Sequence, residues 1–308
     1  MSAHTATVVQ EPAGILSRDQ AAGRYELKER LGRGSLAEVF RAADREGGPD
    51  VAVKVAVGYS KKHFDRTSNE ASVLASLDHP SIIKFIAKGV MPAGTPLAGR
   101  PFLVEELALG TSLAEAAHTR PPFAGDVAGW ACGLLGALAH LHGQGLVHRD
   151  IKPANLMLSG LRRSPVRIID FGIVTAAGSP PEPGISSGTV HYMSPEQAGG
   201  GPAQATWDVY AMGLVLLELL TGSRAFPGTA IESLVARTLR SPAIPDSLGP
   251  EWCNLLRALT AMDSNERPTA AEAAIMAARL SPPASAAKAS GSCRKMAVFP
   301  SRRIRQLA

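Results

Sequence analysis

Cysteine is sparse in this chain. Cys132, Cys253 and Cys293 stand far apart, are odd in number and form no CxxC arrangement, which excludes a disulfide framework or a zinc site as the organising device. That usage suits a reducing compartment, and a cytoplasmic location is expected. Long hydrophobic runs are missing too: the greasiest stretch, Gly213 to Leu220, is shorter than a bilayer requires and contains Glu218, so no transmembrane segment is expected. Residues 1–14 lack the basic start and apolar core of a signal peptide. Acidic residues are absent from 281–308, where Lys288, Arg294, Lys295, Arg302, Arg303 and Arg305 place all of the excess positive charge; the formal total is +5, so the rest of the chain sums to −1. Nucleic-acid binding by the body is therefore not implied. The basic tail suits an acidic partner, phosphates or an anionic surface, or it is simply solvated. No internal repeat is present.

What is there is a 308-residue chain with 45% apolar and 19% charged residues, enough for two compact units or one large bilobal one. Residues 1–23 are small and polar and read as a flexible leader. From Tyr25, apolar and polar residues alternate around Gly-rich breaks, which predicts antiparallel strands joined by turns. Phe64 to Leu77 brings apolar positions together at a helical period, and Asp78-His79-Pro80 stops it. Strand-like runs follow at Ile82 to Val90 and Phe102 to Leu107. Beyond Gly110 the pattern is mostly helical, at 126–143, 207–221, 229–239, 251–261 and 270–280, with short strand-like pieces at 146–148, 155–158 and 166–171. Strand runs followed by helix runs indicate an α+β fold. A Pro/Ala/Ser-rich linker from Ser281 leads into the tail.

Three stretches carry chemistry. Gly32-Arg33-Gly34-Ser35-Leu36-Ala37 with Val39 is a Gly-rich turn between strands. A strand and not a helix follows it, which separates it from a dinucleotide-binding loop, though an ordinary hairpin has the same pattern. Val51-Ala52-Val53-Lys54 interrupts a β-branched strand with a lysine. A lone lysine there is ordinarily a solvated edge residue, but Glu70 on the following helix is a candidate partner that would fix its ammonium for phosphates. The third stretch is His148-Arg149-Asp150-Ile151-Lys152-Pro153-Ala154-Asn155, followed by Asp170-Phe171-Gly172.

These strings resemble the signatures of serine/threonine protein kinases of the eukaryotic-like, Hanks type, of bacterial kind, over about Tyr25 to Leu280. Ser194-Pro195-Glu196, Asp208 and the segment around Arg267 extend the likeness. The resemblance implies a bilobal protein-kinase fold: an N-lobe of antiparallel sheet plus one helix over about 24–108, a helical C-lobe over about 109–280, and a linker and tail at 281–308. It implies transfer of the γ-phosphate of ATP to Ser/Thr hydroxyls of proteins, with Mg²⁺, or Mn²⁺ in its place. By that resemblance Asp150 is the general base, Lys152 reaches the phosphoryl group, and Asp170 with the Asn155 amide oxygen binds metal. Lys54 and Glu70 form an ion pair, and Thr189 braces the catalytic loop. Leu31, Gly32, Arg33, Gly34, Ser35, Val39, Ala52, Lys54, Glu106 and Ala108 meet the nucleotide.

Structural and regulatory roles are implied for His148, Arg149, Phe171, Gly172, Glu196, Asp208 and Arg267. Glu196 and Arg267 are expected to form a buried ion pair, and Asp208 to anchor the catalytic loop. Thr175, Ser179, Ser186 and Ser187 are candidate acceptors for autophosphorylation in trans within a transient homodimer, where Arg149 would meet the phosphate. Two positions depart from the family pattern. Glu105 falls where an apolar or small gatekeeper is usual, unless the strand slips by one residue, and Leu109 replaces an acidic residue near the ribose. A nucleotide-binding pseudokinase, a small-molecule phosphotransferase and a scaffold working through the tail are the rival readings.

Overall fold

The computed structural model describes residues 23–119, 122–159, 164–180 and 189–280; the leader, the basic tail, Ser186 and Ser187 lie outside them. Five antiparallel strands, β1 (Tyr25–Arg33), β2 (Ala37–Asp44), β3 (Val51–Ala56), β4 (Phe85–Val90) and β5 (Pro101–Glu106), form one sheet in the order β1-β2-β3-β5-β4. Its faces separate by the two-residue period of a strand. Val51, Val53, Val55, Phe102 and Val104 pack on the outer side with Tyr25 and Met91. Ala52 turns the other way and joins Leu31, Val39 and Leu107 in a small apolar cluster. Helix α1 (Lys61–Ser76) follows β3 and buries Glu70, Ala71, Val73 and Leu74. Ile82 and Ile83, read from sequence as strand, precede β4 and serve another purpose: Ser81 O and Ile83 N–H bond the backbone of Ile168 at 2.9 and 3.0 Å, a parallel bridge into the second half.

That half is helical, as its pattern predicts. A short strand and helix that the sequence reading did not separate, β6 (Gly110–Ser112) and α2 (Leu113–Thr119), lead to α3 (Ala124–Gly143). By length and composition α3 is apolar enough to cross a membrane, a property the sequence reading missed by looking only at 213–220. In the fold its Leu134, Leu135, Leu138 and Leu141 sit in the core. Strands β7 (Leu146–Val147), β8 (Leu156–Ser159), β9 (Val166–Ile168) and β10 (Thr175–Ala176) follow; β7 pairs with β10, and β8 lies between β6 and β9. These two small sheets hold the polar loops that follow β7 and β9.

After α4 (Pro195–Ala198), helix α5 (Ala205–Thr221) runs through the middle, buried along almost its whole length from Trp207 to Leu219. Such all-round burial explains why its sequence shows little amphipathic period. Gly213 lets the chain approach closely, since a Cβ there would lie 2.6 Å from Thr260 Cγ2. Helices α6 (Ala230–Leu239), α7 (Pro250–Leu259) and α8 (Ala270–Leu280) complete the lobe. A capping box at Thr229 and Glu232 starts α6.

Candidate active site

Lys54 projects from β3 into the space between the two halves. Its Nζ donates to Glu70 Oε1 at 2.7 Å and to Asp170 Oδ1 at 2.8 Å, so residues from β3, α1 and the turn after β9 meet at one ammonium. Burial alone would lower the Lys54 pKa, but the carboxylates of Asp170 and Glu70 more than offset it and hold the pKa above that of an ordinary lysine. Asp170 shows the converse: burial disfavours its charge, yet Lys54 and the Gly172 N–H depress its pKa to about 2. A Cβ at Gly172 would lie close to Asp170 Oδ1, at 3.3 Å, and in ordinary contact with Glu70 Oε2 and Lys54 Nζ.

The loop that begins at His148 is held from behind by Asp208, which is 1% exposed on α5. Its carboxylate accepts the amides of His148 at 2.7 Å and Arg149 at 2.8 Å, and His142 Nε2 lies 2.9 Å from Oδ2. The pinned turn puts Arg149 at φ +69°, the one positive-φ non-glycine among the described residues, a conformation costing about 1–2 kcal/mol. Gln197 Nε2 donates to the Arg149 carbonyl at 3.1 Å, so both flanking peptide groups are tied and the strain is maintained. Arg149 Nε reaches the Ile173 carbonyl at 2.6 Å. His148 is fully buried, stacked edge-on against Phe171 at 5.0 Å, and burial lowers its pKa.

One residue on, Asp150 Oδ2 accepts from Lys152 Nζ at 2.8 Å and from Asn155 Nδ2 at 3.0 Å, and the Asp150 carbonyl takes the same amide nitrogen at 2.9 Å. With Asn155 Nδ2 committed to Asp150, its amide oxygen is left for another partner. The donor set therefore fits a hard divalent cation: an ionised carboxylate at Asp170 and a neutral amide oxygen at Asn155. Leu31, Val39, Ala52 and Leu107 form a small buried apolar cluster, with Ala52 on the same face of β3 as Lys54. Gly34 N–H closes the Gly32–Ala37 turn onto the Ala37 carbonyl at 2.9 Å, with Arg33 and Ser35 in that turn. Glu106, whose N–H bonds the Lys84 carbonyl, pairs through its side chain with the fully buried Arg167. Ala108 follows, fully buried.

Glu196 and Arg267 meet in a two-pronged pair at 2.7 and 3.0 Å. The expectation that this pair is buried needs a correction: the Arg267 side chain is inaccessible, but Glu196 is 25% exposed because the short helix α4 lies at the surface. Arg267 also donates to the carbonyls of Ala261, Thr206 and Met262 and lies 4.7 Å over the Tyr210 ring. Thr175 Oγ1 donates to Ser179 Oγ at 3.0 Å. Thr189 opens a 3₁₀ turn, Thr189–Tyr192, and its side chain lies outside those described. The register Ala52↔Glu105 and Lys54↔Leu103 places Glu105 on the face of the sheet that carries Lys54, which removes the one-residue slip. Leu109 is half exposed. His142, Gln197 and Arg167 were missed from sequence.

The protein kinase domain model matches residues 25–277. The chain is similar to serine/threonine-protein kinase PknB of Mycobacterium tuberculosis, at 37% identity over 266 residues that cover 81% of this chain and 41% of the relative. It is also similar to a probable serine/threonine-protein kinase of Streptomyces coelicolor, at 37% identity covering 74% of this chain and 35% of that one. The DNA damage-responsive serine/threonine-protein kinase RqkA of Deinococcus radiodurans is 37% identical, covering 73% and 34%. The chain thus spans about two fifths or less of the length of these curated relatives. With one family model matching from β1 into α8, and a Lys54–Glu70–Asp170 cluster facing an Asp208-anchored loop, the chain belongs to the protein kinase domain family.

Proposed function

We propose that this chain is a serine/threonine protein kinase, transferring the γ-phosphate of ATP to hydroxyl groups of proteins. The observation that carries this reading is an Asp150 carboxylate fixed by Lys152 and Asn155, in one fold with a protonated Lys54 that bridges Glu70 and Asp170. Asp150 orients the acceptor hydroxyl and takes its proton as oxygen bonds to phosphorus and the bond to the β-phosphate oxygen breaks. Lys152, already on Asp150, sits where it can neutralise the moving phosphoryl charge. Lys54 fixes the triphosphate, held in place by Glu70. Mg²⁺, bound by Asp170 and the Asn155 amide oxygen, would supply charge neutralisation on the phosphates. The names of the relatives support serine and threonine as acceptors, as does Lys152 two residues beyond Asp150.

The same reading includes autophosphorylation in trans at Thr175, Ser179, Ser186 or Ser187, with Arg149 meeting the phosphate, and an acidic partner for residues 281–308. A domain spanning 24–280 and a cytoplasmic location complete it. The test is transfer of label from radioactive ATP to a general acceptor protein and to the chain itself, with magnesium, beside Asp150→Asn. Label in the parent and loss of at least about 100-fold in the variant are expected. A parent that labels nothing overturns the reading.

A further inference from the structure

Among the described residues, Glu105 carries the one carboxylate oxygen that is buried without a hydrogen-bond partner. It is 6% exposed and stands on β5, flanked on both sides by β3 and β4, so its backbone has little freedom to move. The strand register puts it on the Lys54 face. The charged groups that act on it are Glu70 from α1, Lys54 from β3 and Asp170 from the turn after β9. An apolar side chain would fill this place without burying an unmatched carboxyl.

The ammonium it faces has three N–H donors. Two are taken, by Glu70 and Asp170, and among the described contacts the third is not. Both present partners have reasons to leave. Asp170 belongs, in the reading proposed above, to the metal site. Glu70 rides on α1, whose first turn has no acidic residue and whose N-cap, Ser60, turns its hydroxyl to His63 Nδ1 at 2.7 Å and caps no backbone N–H, so that end lacks a backbone cap and a favourable charge. Were both carboxylates withdrawn, Lys54 would be a buried charge with no partner.

We propose that Glu105 is a positioning residue: a reserve partner for Lys54 that keeps the ammonium aimed into the cleft whenever Glu70 or Asp170 withdraws. Burial and the neighbouring Glu70 charge raise the pKa of the Glu105 carboxyl, so in the state seen here it leaves Lys54 to the other two. Removing the Glu70 charge takes away that repulsion and brings Glu105 into play. This inference rests on the kinase reading for the meaning of Lys54, but its test does not need transfer to occur.

The test is a double-mutant cycle of Glu70→Gln, Glu105→Gln and both together, read as the Kd for magnesium ATP by calorimetry and as kcat and KM in the transfer assay. If Glu105 stands in for Glu70, the double variant loses more nucleotide affinity than the product of the two single losses, by about tenfold. The same cycle in a Lys54→Met background should show no coupling. Single losses that simply multiply would overturn the proposal, as would coupling that persists without Lys54, because packing would then explain it. If Glu105→Gln fails to fold, Glu105→Met takes its place in the cycle. A parent that binds nucleotide but transfers nothing sinks the kinase reading and leaves the affinity cycle decisive.

Discussion

The carboxylate of Asp208 holds the backbone amides of His148 and Arg149 at 2.7 and 2.8 Å from a helix 60 residues further along the chain. Asp208→Ala should leave two buried amides and His142 unmatched, destabilising the fold by about 2–4 kcal/mol. Asp208→Asn should keep the shape but turn one acceptor into a donor against an N–H, so its kcat should fall by at least about tenfold with a smaller change in KM. Urea titrations and steady-state kinetics check the pair. Normal kcat in Asp208→Asn would show that the loop needs no anion behind it.

The Glu196 and Arg267 variants should not be equivalent. Arg267→Ala removes bonds to Glu196 and to three carbonyls together with the stacking on Tyr210, and should cost about 3–5 kcal/mol. Glu196→Ala leaves an arginine that keeps its carbonyl partners and should cost about 1–3 kcal/mol. Equal losses by chemical denaturation would count against this difference.

The pH dependence of stability has a sign set by Glu105. Its carboxyl is pushed by burial, and then by Glu70, from 4.5 up to about 8. The unfolded chain ionises near the lower value, so folding must take up a proton between the two. The stabilisation is therefore full below pH 4.5 and is lost as pH rises to about 8, at up to roughly 1.4 kcal/mol per pH unit. Glu105→Gln has no such dependence, so the ligand-free variant should gain on the parent between pH 5 and pH 8. Stability curves that run parallel across that range would contradict the assignment.

Gly213→Ala places a methyl 2.6 Å from Thr260 Cγ2 and 2.9 Å from Leu259 Cβ, an overpacking that should cost about 1–3 kcal/mol. Adding Thr260→Ser removes the nearer methyl and should restore part of the loss in thermal melts. No recovery would place the strain at Leu259 alone.

The parts legible in sequence were those in which spacing carries information. Lys54 interrupts a β-branched run, Glu70 lies on a helix with a clear apolar period, and Asp150, Asn155 and Asp170 fall in strings with little chance of arising otherwise. His142, Gln197 and Arg167 gave no such signal. Each meets its partner across 48 to 66 residues, and single polar residues at such distances leave no periodic trace. The face of Glu105 became readable only through the pairing of β3 with β5, since a one-residue change of register reverses every side chain. The apolar reach of α3 was overlooked because its Ala and Gly residues dilute the Leu pairs that fill the core.

The backbone stitch between residues 81–83 and Ile168 also decides how α1 is free to move. The segment leaving that helix is fastened to the strand that ends two residues before Asp170, so its C-terminal end behaves as a fixed pivot. A displacement of the helix about that end would grow toward Lys61, a swing rather than a slide, and Glu70, between the two ends, would travel a fraction of the arc.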